Sequence, residues 1–439
     1  GGVAGMTSAY RLMQQGHEVA LYESSPYLGG LVRTFEVGGS RLEAYYHHIF
    51  TSDTTIIRLI EELGVGDKLK WIESKVGWFD NGKIYNFVTP LDLLTFGPVP
   101  FIDRVRLGLM AMKLRKRDDW AEFERITAKD WIEKNVSKPA FDGMWGPLLR
   151  GKYGDSYDEV AMAWLWSKIH LRMASRKGGP LQKEQLGYLT GSFQVYIDEM
   201  ERRMRAGGVR VHTGAPVERI TAENNRATGI VLGDGTHVAA DAVIAAVPSV
   251  LFKKLAPAMT PDYERRLDGV RWQGALCAVM TLKQPLSPIY WMNIGDRTMP
   301  FLAVVEHTNF VGPEHYGGNR IVYLSNYLTQ DHEYFKKSDD ELWAIFEPAL
   351  KKINPAFSAD WINERWIFRA PFAQPIITCN YGDIKPGHRT PVEGLYLETM
   401  TQIYPEDRGQ NYSIKMGEEV AQMAVEDFAK RGERPGAAA

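Results

Sequence analysis

Gly1, Gly2 and Gly5 stand at the head of the chain with the spacing that lets main-chain N–H groups approach a pyrophosphate, since only a residue without Cβ allows so close a contact. Glu23, 21 positions after Gly2, is placed to accept from a ribose hydroxyl. A second pair, Gly29 and Gly30, lets another backbone segment reach the same diphosphate, and Arg33 adds positive charge. His47 and His48 follow, with side chains suited to accepting a substrate proton near neutral pH.

These residues need particular elements to hold them. Thr7 to Gln15 has apolar positions one turn apart and stops at Gly16, so a helix is expected, and His17 to Glu23 reads as the strand after it. Glycine turn, helix, strand and terminal acid form the dinucleotide-binding unit. In its G-x-G-x-x-G spacing Gly2 and Gly5 are the second and third glycines. The chain is therefore expected to begin inside its own motif, and the native protein to be longer.

With Glu23, Gly29, Gly30, Arg33 and Thr34 in this order, the chain resembles the FAD-dependent amine oxidase, protoporphyrinogen oxidase and phytoene desaturase superfamily. The resemblance favours FAD over NAD and implies a Rossmann-like FAD-binding domain of α/β class with an inserted α+β substrate domain. The flavin domain is expected from residues 1–75, 185–255 and 385–439, and the substrate domain from 76–184 and 256–384. The resemblance sets Val217 beside the adenine and Pro248 near the cofactor. It aims the closing helix, with Gly409, Gln410 and Asn411 at its start, at the pyrimidine end of the flavin, where a helix N-terminus favours the reduced, negatively charged ring. The Gly-Asp usual at the end of the closing strand is replaced by Thr399 and Met400, leaving Glu398, Glu406, Asp407 or backbone N–H groups to make that contact.

The activity implied is hydride transfer from a small-molecule substrate, at an amine or a C–C bond, to the flavin, with oxygen, a quinone or another acceptor taking the electrons. Two alternatives remain: a redox-neutral flavoprotein resembling UDP-galactopyranose mutase, and a non-catalytic relative that keeps the fold as a binding module. His47 and His48 are the candidate bases, and on an extended segment they face opposite ways, so at most one reaches the flavin. Tyr404 is the candidate aromatic wall. Lys385 and Arg369 are candidate holders of an acidic substrate, against solvated surface charge as the plainer reading.

Ser52 or Asp53 is expected to cap a helix running to Leu63, and Asn81-Gly82 to turn a hairpin between Trp78 and Tyr85. Leu91 to Arg176 reads as mostly helical, with Trp145, Trp164 and Trp166 in its core. Helices are also expected over Gln194 to Ala206, Glu341 to Ile353 and Asn411 to Lys430, and strands over Ala275 to Leu282 and Arg320 to Tyr327. The tail from Pro435 to Ala439 is expected to be disordered.

The composition agrees. The 439 residues exceed what one core normally supports, and 52 basic against 54 acidic residues lack the surplus that nucleic-acid binding requires. No metal site is expected. Cys277 and Cys379 are too far apart for a zinc pairing and fit a reducing cytosol, and no apolar run approaches the roughly 18 residues of a spanning helix. The stretch from Pro98 to Arg117, apolar and then basic, is a candidate for peripheral membrane contact against an ordinary lid helix.

Overall fold

A computed structural model describes residues 1–87, 89–174 and 184–431; the expectations for Arg176 and for Pro435 to Ala439 fall outside these. The first helix spans Val3–Gln14 and ends ahead of Gly16, whose φ of +83° an L side chain rarely adopts. The strand Ala20–Tyr22 follows and pairs in parallel with Arg210–His212. A second parallel pair joins Val243–Ala245 to Leu395–Leu397. Residues from the beginning, the middle and the end of the chain thus build one α/β unit, and the helix Gln194–Ala206 has the expected bounds. Its entry is held by the buried carboxylate of Glu43, which accepts from Phe193 N and Tyr188 Oη, both at 2.7 Å.

The close packing of this unit depends on small residues. A Cβ on Gly5 would lie 2.8 Å from Ala246 Cβ, which seats the first helix against the strand Val243–Ala245. A Cβ on Gly417 would lie 2.7 Å from Ala4 O and 2.8 Å from Thr7 Cβ, so the first helix and the closing helix, Gln410–Lys430, touch along their backbones.

A seven-stranded sheet forms the other half, in the order Ile362–Pro375, Trp272–Leu282, Arg320–Leu328, Ala303–Glu306, Trp291–Ile294, Val76–Asp80, Lys83–Asn86. It is antiparallel except where Trp291–Ile294 meets Val76–Asp80. Asn81 and Gly82, at φ of +48° and +74°, turn the expected hairpin. Strand periodicity sorts the two faces. Leu276, Ala278 and Met280 pack with Leu342, Trp343 and Phe346 of the helix Asp339–Ile353. Ala275, Cys277 and Val279 turn the other way, level with Tyr327, Ser325 and Tyr323 on the adjacent strand, and join the core of the first unit. That second face roofs the crevice described below.

Between the halves, Phe101–Arg115, Ala128–Asn135, Gly146–Tyr153 and Met162–Ala174 are helices as the sequence suggested, with Trp164 and Trp166 buried and Trp145 packed at the margin of the same core. Among the described residues both cysteines are free, no group of side chains could hold a metal ion, and no helix is long and apolar enough to cross a membrane.

Candidate functional site

The glycine seat forms where two loops cross. Gly29 N donates to Gly1 O at 2.8 Å, and Gly2 bridges to Gly29 in parallel fashion. Gly30 adopts φ +58°, and a Cβ there would sit 3.1 Å from Gly2 Cα. A Cβ on Gly1 would meet Glu23 Oε2 at 2.5 Å. The four glycines therefore leave a strip of bare backbone ahead of the first helix, whose initial N–H groups lack partners within the helix. Glu23 lies just beyond the strand Ala20–Tyr22, with Oε1 taking Ser25 N at 2.8 Å and Ser25 Oγ at 2.5 Å. The segment leading to Val217 is tied to this acid through Ala215 N, which donates to Glu23 O at 2.9 Å, so Val217 starts its strand close to Glu23.

Arg33 donates to Tyr27 Oη at 2.6 Å and lies over the rings of Tyr27, Tyr45 and Phe368; among the described residues it has no carboxylate partner. Thr34 turns away, its hydroxyl donating to Gln194 Oε1 at 3.0 Å. At the closing strand, Thr399 and Gln402 cap one another, and Gln402 Nε2 donates to Leu397 O, so Thr399 N is spent within the protein, while Met400 packs at the margin of a small core. Glu398 is fully buried and accepts from Ser8 Oγ at 2.5 Å, and burial pushes its carboxyl up to about 7.

At the start of the closing helix the structure divides the expected trio. Gly409 faces open space, with no heavy atom within 4 Å of where a Cβ would be. Gln410 Oε1 takes Tyr196 Oη at 2.8 Å, while its Nε2 is buried without a hydrogen-bond partner among the described residues. Asn411 faces another helix: its Oδ1 accepts from Thr55 N at 3.0 Å and Ile56 N at 3.1 Å, at the start of Thr54–Glu62. The expected local cap by Ser52 or Asp53 is thereby supplied from the end of the chain, since Asp53 Oδ2 is occupied by Phe50 N at 2.8 Å. Asn411→Ala should lower stability by about 0.5–2 kcal/mol in urea unfolding, and Asn411→Asp, which keeps the acceptor, should recover most of it.

His47 and His48 face different ways. His47 Nδ1 lies 2.5 Å from Tyr45 O and so carries its N–H there, whereas His48 Nδ1 lies 3.1 Å from Tyr290 Oη with its ring against Phe50 and Trp291. Burial, reinforced by nearby cations, pushes His47 down to about 4 and His48 to about 3. Both are neutral at pH 7 and hold an acquired proton weakly.

The cations near them went unmarked in the sequence. Lys152, at the end of Gly146–Tyr153, and Lys168, on Met162–Ala174, converge on Asp407 Oδ2 at 3.0 and 2.7 Å. Arg408 donates from Nε to Gln374 Oε1 at 3.0 Å and from Nη2 to Tyr327 Oη at 2.5 Å. Burial would raise the Asp407 carboxyl, but Lys152, Lys168 and Arg408 together hold it well below the usual carboxylate range. Burial outweighs Asp407 at Lys152 and pushes that ammonium down to about 7. The one available signal was position: Asp407 and Arg408 immediately precede Gly409. The surface candidates lie elsewhere. Arg369 pairs with Asp339 at 2.7 Å on the helix side of the sheet, and Lys385 follows the short helix Tyr381–Ile384. Tyr404 packs its ring against Trp120 and Tyr381.

These residues fit the expected FAD. The bare glycine strip leaves room for a diphosphate beside helix-start donors, Glu23 offers acceptors, and the unpaired Gln410 Nε2 is a donor awaiting a carbonyl. The first helix, into which the glycine strip leads, lies directly against the closing helix where Ala4 and Thr7 meet Gly417.

Comparison with known proteins agrees. The family model described as flavin containing amine oxidoreductase matches residues 3–403. The chain is 21% identical over 457 residues to a 15-cis-phytoene desaturase, chloroplastic/chromoplastic, from an Oncidium hybrid cultivar, covering 98% of this chain and 77% of the relative. An oxidoreductase structure from Methanosarcina mazei superposes with a TM-score of 0.72 at 20% identity, covering 97% of this chain and 98% of the other. A reduced UDP-galactopyranose mutase structure superposes with a TM-score of 0.72 at 13% identity, covering 99% and 96%.

Proposed function

The chain belongs to the flavin containing amine oxidoreductase family and is an FAD-dependent oxidoreductase, and from that premise we propose that it oxidises a small-molecule substrate at an amine or a C–C bond. The observation that carries this reading is the glycine seat, where Gly30 at positive φ closes on Gly2 beside the acid Glu23. FAD, when bound, supplies the hydride acceptor at N5 and relays the electrons to oxygen, a quinone or another acceptor. Gly1, Gly2, Gly29 and Gly30 would leave the diphosphate its room, with the first N–H groups of Val3–Gln14 as its donors; Gly5 seats that helix, Glu23 would hold the ribose, Val217 would line the adenine, and Arg33 would offset phosphate charge. Gly409 and Gln410 serve the pyrimidine edge, and Asn411 braces them through its cap. The domain division proposed is 1–75, 185–255 and 385–439 for the flavin unit, supported by the two parallel strand pairs, with 76–184 and 256–384 for the substrate.

Hydride transfer asks the protein chiefly to exclude water and hold the substrate carbon in line. The roofing sheet face and the neutral His47 suit both needs, because His47 lines the crevice beside Arg408 and can take a proton only transiently. The test is anaerobic mixing of the yellow holoprotein with candidate amines, carotenoid precursors and nucleotide sugars. Stoichiometric bleaching by one of them is expected. Product formation without bleaching would place the enzyme in redox-neutral chemistry, and a protein that binds no FAD would defeat the reading.

Membrane contact is also proposed. Among the described residues, seven of the ten exposed large hydrophobic ones lie together, Leu91 and Leu94 on Pro90–Thr95 and Phe101, Ile102, Val105, Leu109 and Met112 on Phe101–Arg115. Arg104, Arg106, Lys113 and Arg115 share the second helix, and apolar surface edged by cations suits an anionic lipid face. The protein should co-sediment with phosphatidylserine-containing vesicles. Ile102→Asp with Leu109→Asp should return it to the supernatant with flavin still bound.

A further inference from the structure

Charge in the crevice is unbalanced. Lys152 and Lys168 share the one carboxylate of Asp407, and Arg408 spends its fork on two neutral acceptors, Gln374 and Tyr327. A further acid, Asp53, lies toward Lys168 and accepts from Phe50 N. These cations are half-buried, and the side chains of Lys152 and Lys168 keep 22% and 31% of their accessible surface. Both ammonium groups therefore remain open to a ligand. Lys152 Nζ and Arg408 Cζ lie 5.7 and 5.6 Å from the centre of one ring, Tyr327, so both cations gather about it, and Gly409, next to Arg408 in the chain, opens into empty space.

Such a crevice is ill suited to an amine, whose charge it repels, and a pure hydrocarbon cannot offset the desolvation of two cations. We propose that Lys152 and Arg408 bind an oxyanion on the substrate, a carboxylate or a phosphate. This deepens the oxidoreductase reading and rests on it. Charge-assisted hydrogen bonds from a planar guanidinium and a point-charge ammonium would anchor the anion at one end, leaving the rest of the substrate to lie along the Tyr46–His48 segment, where Tyr46 Oη already meets Ser325 Oγ of the roofing sheet at 3.1 Å. The anchor is a binding element and takes no part in bond breaking.

The test uses FAD-loaded protein titrated with sodium phosphate and, separately, sodium acetate at constant ionic strength, with the visible flavin spectrum as readout. A saturable perturbation is expected, and the anion that binds more tightly tells phosphate from carboxylate. Arg408→Met and Lys152→Met, each first checked for a retained flavin spectrum, should weaken it at least tenfold, while Arg369→Met leaves it unchanged. Should the methionine variants lose their flavin, Arg408→Lys carries the test, with an expected weakening in the same direction. No saturable response from either anion in the wild-type holoprotein overturns the proposal, as does unchanged affinity in the variants. So does a lowered flavin midpoint potential in Arg408→Met with anion affinity intact, because the charge then serves the cofactor. A preparation that takes up no flavin fails the functional reading itself, which separates the two failures.

Discussion

Gly30→Val is expected to give a colourless protein. Gly30 sits at φ +58°, where a β-branched side chain costs about 1–2 kcal/mol, and its Cβ would meet Gly2 Cα at 3.1 Å. The contact is backbone on backbone, so no rotamer change relieves it, and the Gly1–Gly2 segment must move away from the diphosphate. FAD affinity should fall at least about 100-fold, equivalent to about 2.7 kcal/mol, read as bound flavin absorbance after reconstitution. Gly318→Val supplies the control. Gly318 has φ +84° but nothing within 4 Å of its Cβ position, so it bears the same kind of strain without the close approach. That variant should lose stability and keep its colour. Equal FAD binding by Gly30→Val and wild type would remove the glycine seat from the account.

The second large effect is expected at Asp407. Removing this carboxylate leaves Lys152, Lys168 and Arg408 facing one another in the crevice, and breaking a buried pair from one side typically costs about 3–5 kcal/mol. Asp407→Ala should lower the urea midpoint by a corresponding amount. The sign of the pH dependence follows from Lys152. Its folded value, about 7, lies below the ordinary 10.5, so between those values the unfolded chain binds more protons and stability rises with pH. Loss of Asp407 removes an influence that raises Lys152, which moves the lower edge of that window below 7. The variant therefore gains stability between pH 6 and 7 where the wild type does not, and its deficit should be larger at pH 5.5 than at pH 8. Lys152→Met in the Asp407→Ala background should recover part of the loss, because a neutral side chain replaces the uncompensated ion. A deficit that is the same at both pH values would show that packing, rather than charge, is what Asp407 supplies.

The two sites differ in how far they can be read from the chain. Gly1, Gly2, Glu23, Gly29 and Gly30 lie within the first 30 residues, so the constraint that selects glycine acts over a short stretch of chain and leaves its mark on residue type and spacing. The same holds for the Asn81-Gly82 hairpin and for the helix Gln194–Ala206, whose ends are set by short-range conformational preferences. Asn411 shows the limit of such reading. Its position at a helix start placed it toward the flavin, whereas its side chain caps Thr54–Glu62, with Thr55 lying 356 positions earlier in sequence.

What the amino-acid order determined by itself is the cofactor class and most of the elements around the crossing of the two glycine loops, because backbone conformation and hydrophobic periodicity act over a few neighbouring residues. What only the tertiary structure decided is the character of the crevice. Lys152, Lys168, Asp407 and Arg408 come from two helices and a loop, and singly each resembles an ordinary solvated charge. Their meaning arises when packing withdraws them from water together, since the Coulomb energy of a buried group depends on every charge brought near it and on how much solvent remains.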